Sequence, residues 1–430
     1  MCLDSARRRS KWNILRAVVL IATIGSRALA NGAFPDEFSI HFPPDAPHRI
    51  LVGANFGLLV SEDDGATWRY SCEPWVTKGS SAALSDTSVF YYQLTADGAI
   101  LADSVEVTRS TDIGCNWPPS GGISTGATVT DLFPDPTDST FVLAVVYSTD
   151  NSYIFASHDG GKTFGPDKLY TTQDLLKGIE TSKSTPGVAY ATKVAATGNG
   201  PALLRSTDSG AHWTEMPIPA SAQTEPRILA IDPQDADRVY LRLFTGTTDS
   251  IVVATEGGRT LEPALTIPGA LTSFLRTSDG TLYAGTMEGS LYVRAPGEST
   301  FARRNGPHLR CLGQRPGSSR IYACGDMLLD GFSVATSDDG GLTFQKLMSF
   351  RELLGPLTCS SVHTACSAHW DRIQLVLGIT TPDAGQPDAG RSDGGTTPTS
   401  GGSHCSSIGG DGPGWMILLL LGLRRRRPGD

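Results

Sequence analysis

The chain has 430 residues, of which 18% are charged, and a formal net charge of −9. Residues 1–30 carry a charge of about +5 and residues 405–430 about +2, so the segment between them holds about −16. Nucleic-acid binding needs a positive footprint, so this acidic segment argues against such a partner. The 48 Gly and 27 Pro residues favour many turns between short strands.

Residues 1–30 have the order of a secretory signal peptide. Basic residues from Arg7 to Arg16 precede an apolar run that begins at Ala17, and Ala28-Leu29-Ala30 forms a small-residue cleavage site. We therefore expect export of the chain, with cleavage after Ala30.

A short motif then returns along the chain, and we call each copy an acidic turn. Its form is Ser-x-Asp-x-Gly-x-Thr followed by Trp or Phe, with apolar alternating runs on both sides that predict strand, turn, strand. Five copies are clear, one is worn and has Glu256 in place of Asp, and a doubtful one has little of the motif left. They lie at Ser61–Trp68, Ser110–Trp117, Ser157–Phe164, Ser206–Trp213, Ala254–Leu261, Arg294–Phe301 and Ser337–Phe344. Their acidic positions are 40 to 49 residues apart, a period typical of repeat architectures.

The residues of the acidic turn explain a stable hairpin without any chemistry. The carboxylate is expected to accept backbone hydrogen bonds, the Gly to adopt a positive φ, and the aromatic residue to pack between sheets. These structural positions are Asp63, Gly65, Trp68, Asp112, Gly114, Trp117, Asp159, Gly161, Phe164, Asp208, Gly210, Trp213, Glu256, Gly258, Asp339, Gly341 and Phe344.

The motif resembles the Asp-box, or BNR repeat, of bacterial sialidases, sortilin-type receptors, some xyloglucan-cleaving glycosidases and a photosystem assembly factor. In those families the box lies on the turn between the third and fourth strands of a propeller blade, away from the ligand face. Four strands per repeat and about seven repeats predict an all-β fold. We expect a β-propeller over residues 31–379, with seven four-stranded blades and with six or eight as alternatives.

Six cysteines lie in the predicted propeller, and an even number in an exported chain predicts disulfides. We expect Cys311 to pair with Cys324 on adjacent strands, Cys359 with Cys366 across a short loop and, by elimination, Cys72 with Cys115. The alternative is a zinc site formed by Cys359, His363, Cys366 and His369. Its spacing matches no familiar zinc finger, so we expect neither a metal nor another cofactor.

The C-terminal residues are predicted to direct the protein to its cellular location rather than to fold with the propeller. Residues 380–403 are rich in Pro, Gly, Asp, Ser and Thr, which is typical of an extended linker. Residues 404–430 hold Cys405, a short apolar run and four Arg, and they resemble the C-terminal sorting tails of myxobacterial surface proteins. The resemblance implies attachment at the cell surface through Cys405, with retention or release of the tail as alternatives. The apolar run is short for a span of about 20 residues.

The residues favour a non-catalytic module over an enzyme. Sialidases use three Arg residues and a Tyr–Glu pair. This chain has candidate arginines, but no spacing marks three of them as a triad; they are Arg49, Arg227, Arg242 and Arg310. The strand containing Tyr91 has no obvious Glu partner. No catalytic residue is assigned. The predicted function is that of an exported, surface-associated, monomeric propeller that binds an unidentified protein or glycan and meets the membrane only through its tail. A ligand is expected in the central channel, on the face opposite the acidic turns or at the inner strands.

The alternative is a glycoside hydrolase, of the sialidase or xyloglucanase type, acting on extracellular polysaccharide. Two carboxylates gathered with an Arg or a Tyr at the channel mouth would favour it. Four aromatic residues are candidates for ligand contact, although aromatic residues in alternating strands usually pack inward; they are Trp75, Tyr91, Tyr92 and Trp370.

Overall fold

A computed structural model describes residues 37–78, 91–103, 106–123, 127–149, 151–166, 168–194, 200–221 and 223–379. These residues belong to one compact unit. The expected signal peptide, linker and sorting tail, with Ala30 and Cys405, lie outside the described residues.

Within the described residues, twenty-seven strands form seven antiparallel sheets, and each sheet is built from consecutive strands. The first three sheets comprise β1 (Glu37–His41), β2 (Ile50–Ala54), β3 (Gly57–Ser61) and β4 (Arg69–Cys72); β5 (Tyr91–Leu94), β6 (Ile100–Asp103) and β7 (Thr108–Ser110); and β8 (Thr128–Pro134), β9 (Val142–Ser148), β10 (Asn151–Ser157) and β11 (Lys168–Thr172). The next two comprise β12 (Leu175–Thr181), β13 (Ala189–Val194), β14 (Ala202–Ser206) and β15 (Thr214–Pro217); and β16 (Glu225–Asp232), β17 (Asp235–Phe244), β18 (Thr248–Thr255) and β19 (Thr260–Pro268). The last two comprise β20 (Leu271–Arg276), β21 (Leu282–Thr286), β22 (Ser290–Arg294) and β23 (Ala302–Asn305); and β24 (Cys311–Gln314), β25 (Ile321–Cys324), β26 (Val334–Ser337) and β27 (Gln345–Met348).

The seven sheets close into a ring. The first strand of each sheet contacts the first strand of the next, and β24 of the seventh sheet contacts β1 of the first. The expected β-propeller with seven blades is therefore confirmed, and each sheet is one blade. The second blade has three named strands, and the segment around Pro118 and Ser120 completes it. The N–H of Arg109 donates to the carbonyl of Pro118 (3.0 Å), and the N–H of Ser120 donates to the carbonyl of Val107 (2.8 Å).

Apolar side chains fill the spaces between neighbouring blades. Leu51, Leu58 and Val60 of the first blade pack against Tyr92 and Trp117 of the second. Because alternate residues of a strand point to opposite faces of its sheet, a blade between two neighbours is apolar on both faces. This explains why the strands read as nearly continuous apolar runs.

The chain continues past the last blade and folds back onto the first blade. We call Leu353–Ile379 the C-terminal clasp. The N–H of Leu354 donates to the carbonyl of Trp68 (3.0 Å), and the N–H of Leu357 donates to that of Tyr70 (2.9 Å). The clasp therefore runs beside β4 and pairs with backbone groups of this edge strand that would otherwise be unpaired.

The clasp then forms an 18-residue helix, α2 (Ser360–Leu377), after the one-turn helix α1 (Glu73–Val76) much earlier in the chain. Short 3-10 helices lie at Glu256–Gly258 and Phe350–Glu352. The buried side of α2 carries residues three or four positions apart, as an amphipathic helix requires; they are Val362, Cys366, His369, Ile373 and Leu377. The sequence analysis did not predict this helix.

The part of the chain that the structure describes contains three disulfides. Cys311 pairs with Cys324 on adjacent strands, as expected. The other two expected pairings were wrong: Cys72 bonds to Cys366, and Cys115 bonds to Cys359. Since helix α2 begins directly after Cys359, it separates Cys359 from Cys366 by about 10 Å, which is too far for a disulfide. Both cysteines of the zinc alternative are thus bonded to other cysteines, and the described residues contain no group suited to a metal ion.

Candidate functional site

The first strands of the blades surround a central channel. A cavity of about 290 Å³ lies among β5, β8, β12, β16 and β20. Charged and hydroxyl side chains line it together, including Asp131, Lys177, Glu180, Arg227 and Arg242. This is the place in the propeller where side chains from five blades converge.

Irregular pairing of the first strands determines which residues line the channel. The register between the first and second strands shifts at Thr130, Lys177 and Thr272, each of which is one extra residue in its strand. Such a bulge redirects side chains and leaves a backbone group unpaired. All three extra residues line the cavity.

Carboxylates of one blade accept hydrogen bonds from the first strand of the next blade. Asp131 Oδ2 accepts the N–H of Ile179 (2.7 Å), and Glu180 Oε2 accepts the N–H of Ile231 (3.1 Å). The donating strands, β12 and β16, are edge strands of their sheets, so each of these carboxyl groups binds a backbone donor at an open edge. They join blades three, four and five at their inner edges.

These carboxyl groups are harder to ionise than usual. Burial raises the pKa of Asp103 to about 8, that of Glu180 to about 8 and that of Asp131 to about 6. The Asp131 charge adds to the effect at both neighbours, Asp103 and Glu180. A ligand in the cavity at neutral pH would therefore meet Glu180 mostly as a neutral acid.

A second group of charged residues forms what we call the channel mouth. Arg227 Nη2 lies 2.9 Å and Lys177 Nζ 3.5 Å from Glu225 Oε1. Arg242 binds both oxygens of Asp249, at 2.7 and 2.8 Å, and the Asp249 side chain is 0% exposed. The buried carboxylate thus holds the guanidinium in a fixed, bidentate orientation.

Tyr91 completes the mouth from the other side of the ring. It is the first residue of β5, its N–H donates to Asp103 Oδ1 (2.8 Å), and its side chain is 40% exposed. Burial raises the pKa of its hydroxyl, while Arg227 and Arg242 oppose that shift by their charge. Tyr91 therefore belongs to the same electrostatic environment as the two arginines.

The mouth lies on the face opposite the acidic turns. Those turns join third strands to fourth strands, for example β3 to β4 and β10 to β11. Tyr91 and Glu225 begin their first strands, and Phe244 ends a second strand. Because consecutive strands are antiparallel, the starts of first strands and the ends of second strands lie away from the turns that end third strands.

The acidic turns are closed hydrogen-bond networks. In the third blade Asp159 accepts bonds from the N–H groups of Lys162 and Thr163 (3.1 and 2.9 Å) and from the hydroxyls of Ser157 and Thr163 (2.7 Å each). These bonds hold the pKa of Asp159 at about 2, against the opposing effect of its partial burial. The Gly of each turn has φ between 79° and 98°, a region that favours glycine.

The worn copy shows what the network loses. Glu256 makes one bond, from the Thr260 hydroxyl at 3.3 Å. The clear copies at Asp63, Asp112, Asp208 and Asp339 repeat the bonds of Asp159 to the serine hydroxyl and to the backbone four residues on.

Of the residues compared with the sialidase site, the structure brings together Arg227, Arg242 and Tyr91. Arg49 lies elsewhere, in a surface pocket beside Asp97 and Asp112 on the face of the acidic turns. Among the other aromatic candidates Tyr92 is buried, and Trp75 and Trp370 are partly buried against the core, so Tyr91 is the one that lines the channel.

Sequence reasoning missed Asp103, Asp131, Glu180, Lys177 and Glu225. Asp131 and Glu180 interrupt apolar strand runs, and a polar residue within such a run was the signal available. The bulges that turn them toward the channel depend on contacts between blades and have no local signature.

No family model matches the chain, and neither does any curated protein. Among solved structures it is similar to YCF48 from Cyanidioschyzon merolae, with 14% identity, 52% of this chain and 72% of that chain covered, and a TM-score of 0.37. It is also similar to the GH74 enzyme of Niastella koreensis, with 17% identity, coverages of 72% and 43%, and a TM-score of 0.43. A third is oligogalacturonate lyase from Vibrio parahaemolyticus, with 8% identity, coverages of 68% and 88%, and a TM-score of 0.49. The strand order of this chain and the contacts between its blades themselves establish the fold, a seven-bladed β-propeller with a central channel.

Proposed function

We propose that the chain is an exported, surface-associated propeller that binds a protein or a glycan at the channel mouth and has no catalytic role. The observation that carries this proposal is the convergence of Arg227, Arg242, Lys177 and Tyr91 on one cavity. Bidentate pairing to the buried Asp249 orients Arg242 before any ligand arrives. Such preorganisation reduces the cost of binding.

The hydrogen bonds of the inner carboxyl groups support a binding role over catalysis. Asp131 and Glu180 each bind a backbone N–H of the next blade, so their orientation serves the ring. A general acid or base has to reach the bond that it cleaves. These two groups lie among the inner strands, in a cavity of about 290 Å³.

One observation favours the second candidate, a glycoside hydrolase. Asp131 and Glu180 line the same cavity, and their pKa values are about 6 and about 8. Two carboxyl groups with different pKa values are the arrangement that acid–base glycosidases use. Arg227 and Tyr91 also lie there.

Export is supported by the disulfides, which persist mainly in oxidising compartments. The proposed signal peptide, the linker and the sorting tail would place the propeller at the cell surface. None of the helices among the described residues has the length and apolar content needed to cross a bilayer. Cell fractionation of the full-length chain beside a Cys405→Ser variant tests the surface assignment; release of the variant alone into the medium is the expected result.

The binding proposal is tested with the purified full-length chain against glycan and peptide arrays, and in parallel against fluorogenic glycosides. We expect at least one bound ligand, weakened by Tyr91→Ala and Arg227→Gln, and no glycoside turnover. The matched control is Arg320→Gln, which removes an arginine paired with Asp338 outside the mouth. Turnover that is lost in Glu180→Gln or Asp131→Asn would replace the proposal with the hydrolase.

A further inference from the structure

The charges that a ligand can reach at the channel mouth are mainly positive. The side chains of Arg227, Lys177 and Arg242 are 39%, 23% and 24% exposed. The carboxyl groups beside them are Glu225 at the mouth and, deeper in the cavity, Asp131 and the mostly neutral Glu180. Asp249 is covered by Arg242 and does not face a ligand. On a chain with a net charge of −9, this mouth is a local positive site that would attract an anion.

The two arginines keep donors available for a ligand. Arg227 uses Nε and Nη2 for Glu225, and Arg242 uses Nε and Nη2 for Asp249. Among the described residues, the Nη1 nitrogens of both arginines have no hydrogen-bond partner. A guanidinium held along one edge by a carboxylate can donate from its other edge to a second carboxylate.

The face around the mouth has the character of a protein-binding surface. Large apolar side chains are exposed on this face at the ends of second strands or just beyond them. They are Tyr147 near the end of β9, Met287 directly after β21, and Leu328 and Leu329 a few residues after β25. Leu328 is 75% exposed. Apolar groups around a charged centre suit a polypeptide partner better than a hydrated polysaccharide.

We propose that the channel mouth binds an acidic segment of a polypeptide partner, whose carboxylates pair with Arg227, Arg242 and Lys177. This inference rests on the proposed binding function and specifies its ligand. Tyr91 would contact the same segment from the opposite side of the mouth. The partner is thus defined by clustered Asp or Glu in an extended segment that can enter the mouth.

The test measures binding of hexaglutamate, hexaglutamine and a galacturonate hexamer to the full-length chain at low ionic strength. We expect hexaglutamate to bind about tenfold more tightly than hexaglutamine, and its affinity to fall as salt is added. Arg227→Gln and Lys177→Gln should each weaken hexaglutamate binding by about threefold to tenfold. Arg320→Gln should leave it unchanged, and thermal melting of each variant reports whether it is folded.

Arg242→Gln is not the primary variant, because it would leave Asp249 buried without its partner. The inference fails if hexaglutamate does not bind, if hexaglutamine binds equally well, or if neither variant weakens binding. It also fails if the galacturonate hexamer binds more tightly through the same residues. In that last case, or if a neutral ligand binds and Tyr91→Ala abolishes its binding, the proposed function stands and only the acidic polypeptide is rejected. If no array ligand responds to any mouth variant, both proposals fail.

Discussion

Cys72, the last residue of β4, is bonded to Cys366 in helix α2, which lies 294 residues later in the chain. A second bond joins Cys115 in the second blade to Cys359 at the start of the same helix. The two bonds attach the C-terminal clasp to the first and second blades, across the point where the ring closes. Closure therefore depends on covalent links as well as on the contact of β1 with β24.

We predict that removing both of these disulfides costs more than twice the stability lost on removing either one. While one bond is present, the other closes a further loop of only about 50 residues, because the first already holds the clasp to the ring. Removing Cys72 and Cys366, Cys115 and Cys359, or all four, each to Ala, and measuring denaturant unfolding tests this. We expect a loss of about 2–5 kcal/mol for the first bond removed.

The matched control removes Cys311 and Cys324, which are 13 residues apart within one blade. Its effect should be independent of the clasp bonds and should add to theirs. Simple additivity of the two clasp bonds with each other would contradict the account of ring closure.

The acidic turn of the third blade should contribute measurable stability, and the worn turn should not. Asp159→Ala removes the acceptor of four hydrogen bonds, two of them from backbone N–H groups, and we expect a loss of about 1–3 kcal/mol. Glu256→Ala is the control, since Glu256 accepts one long bond, and it should change stability by less than about 0.5 kcal/mol. Equal losses in the two variants, measured by urea denaturation, would show that the network is not what stabilises the turn.

The contribution of the channel carboxyl groups to stability should fall as the pH rises from about 4 to about 8. Burial raises the folded-state pKa of Asp103 and Glu180 to about 8 and that of Asp131 to about 6, above their values in the unfolded chain. Their neutral forms are therefore favoured in the fold, and ionisation at higher pH opposes folding. Thermal melting of wild type against pH should show this slope, and Glu180→Gln should reduce it by raising the melting temperature at pH 8 more than at pH 5.

Glutamine is the appropriate replacement at position 180 because its side-chain carbonyl can still accept the N–H of Ile231.

The pH effect has the opposite sign at the acidic turns. The pKa of Asp159 is lowered to about 2, so the contribution of Asp159 to stability is present above about pH 4 and is lost toward pH 2. A melting temperature that rises steadily from pH 5 to pH 8 would contradict the assignment of the channel carboxyl groups.

Arg242 should matter for stability far more than an exposed arginine does. Arg242→Gln leaves Asp249 buried, with the N–H of Leu271 as its remaining partner among the described residues (2.7 Å), and we expect a loss of about 3–5 kcal/mol. The control is Arg320→Gln, whose pair with Asp338 is exposed on both sides, so its loss should change stability little. Similar unfolding midpoints for the two variants would mean that Arg242 is not needed to neutralise Asp249.

The sequence predicted those parts of the fold that local residues determine. An acidic turn such as Ser157–Phe164 makes its hydrogen bonds within eight residues, so its motif is readable in isolation. The same holds for Cys311 and Cys324, which face each other in one hairpin. The blade count followed from the spacing of these turns.

The remaining features depend on contacts between distant parts of the chain. The pairing of Cys72 and Cys115 follows from where helix α2 packs, which no local pattern specifies. The helix itself had a signal, since Val362, Cys366, His369, Ile373 and Leu377 recur at three or four residues. The channel site depends on bulges, which arise where the first strands of neighbouring blades meet.

The central claim is that the ligand binds at the channel mouth, and site-directed blocking tests it most directly. Phe244→Cys places a thiol at the mouth, and Leu342→Cys places one on an exposed acidic turn of the opposite face. Each full-length variant is labelled with a polyethylene glycol maleimide, with treated wild type as the baseline. We predict that the label at position 244 abolishes binding of the ligand found on the arrays and that the label at position 342 leaves it unchanged. Loss of binding at position 342 with retention at position 244 would contradict the account.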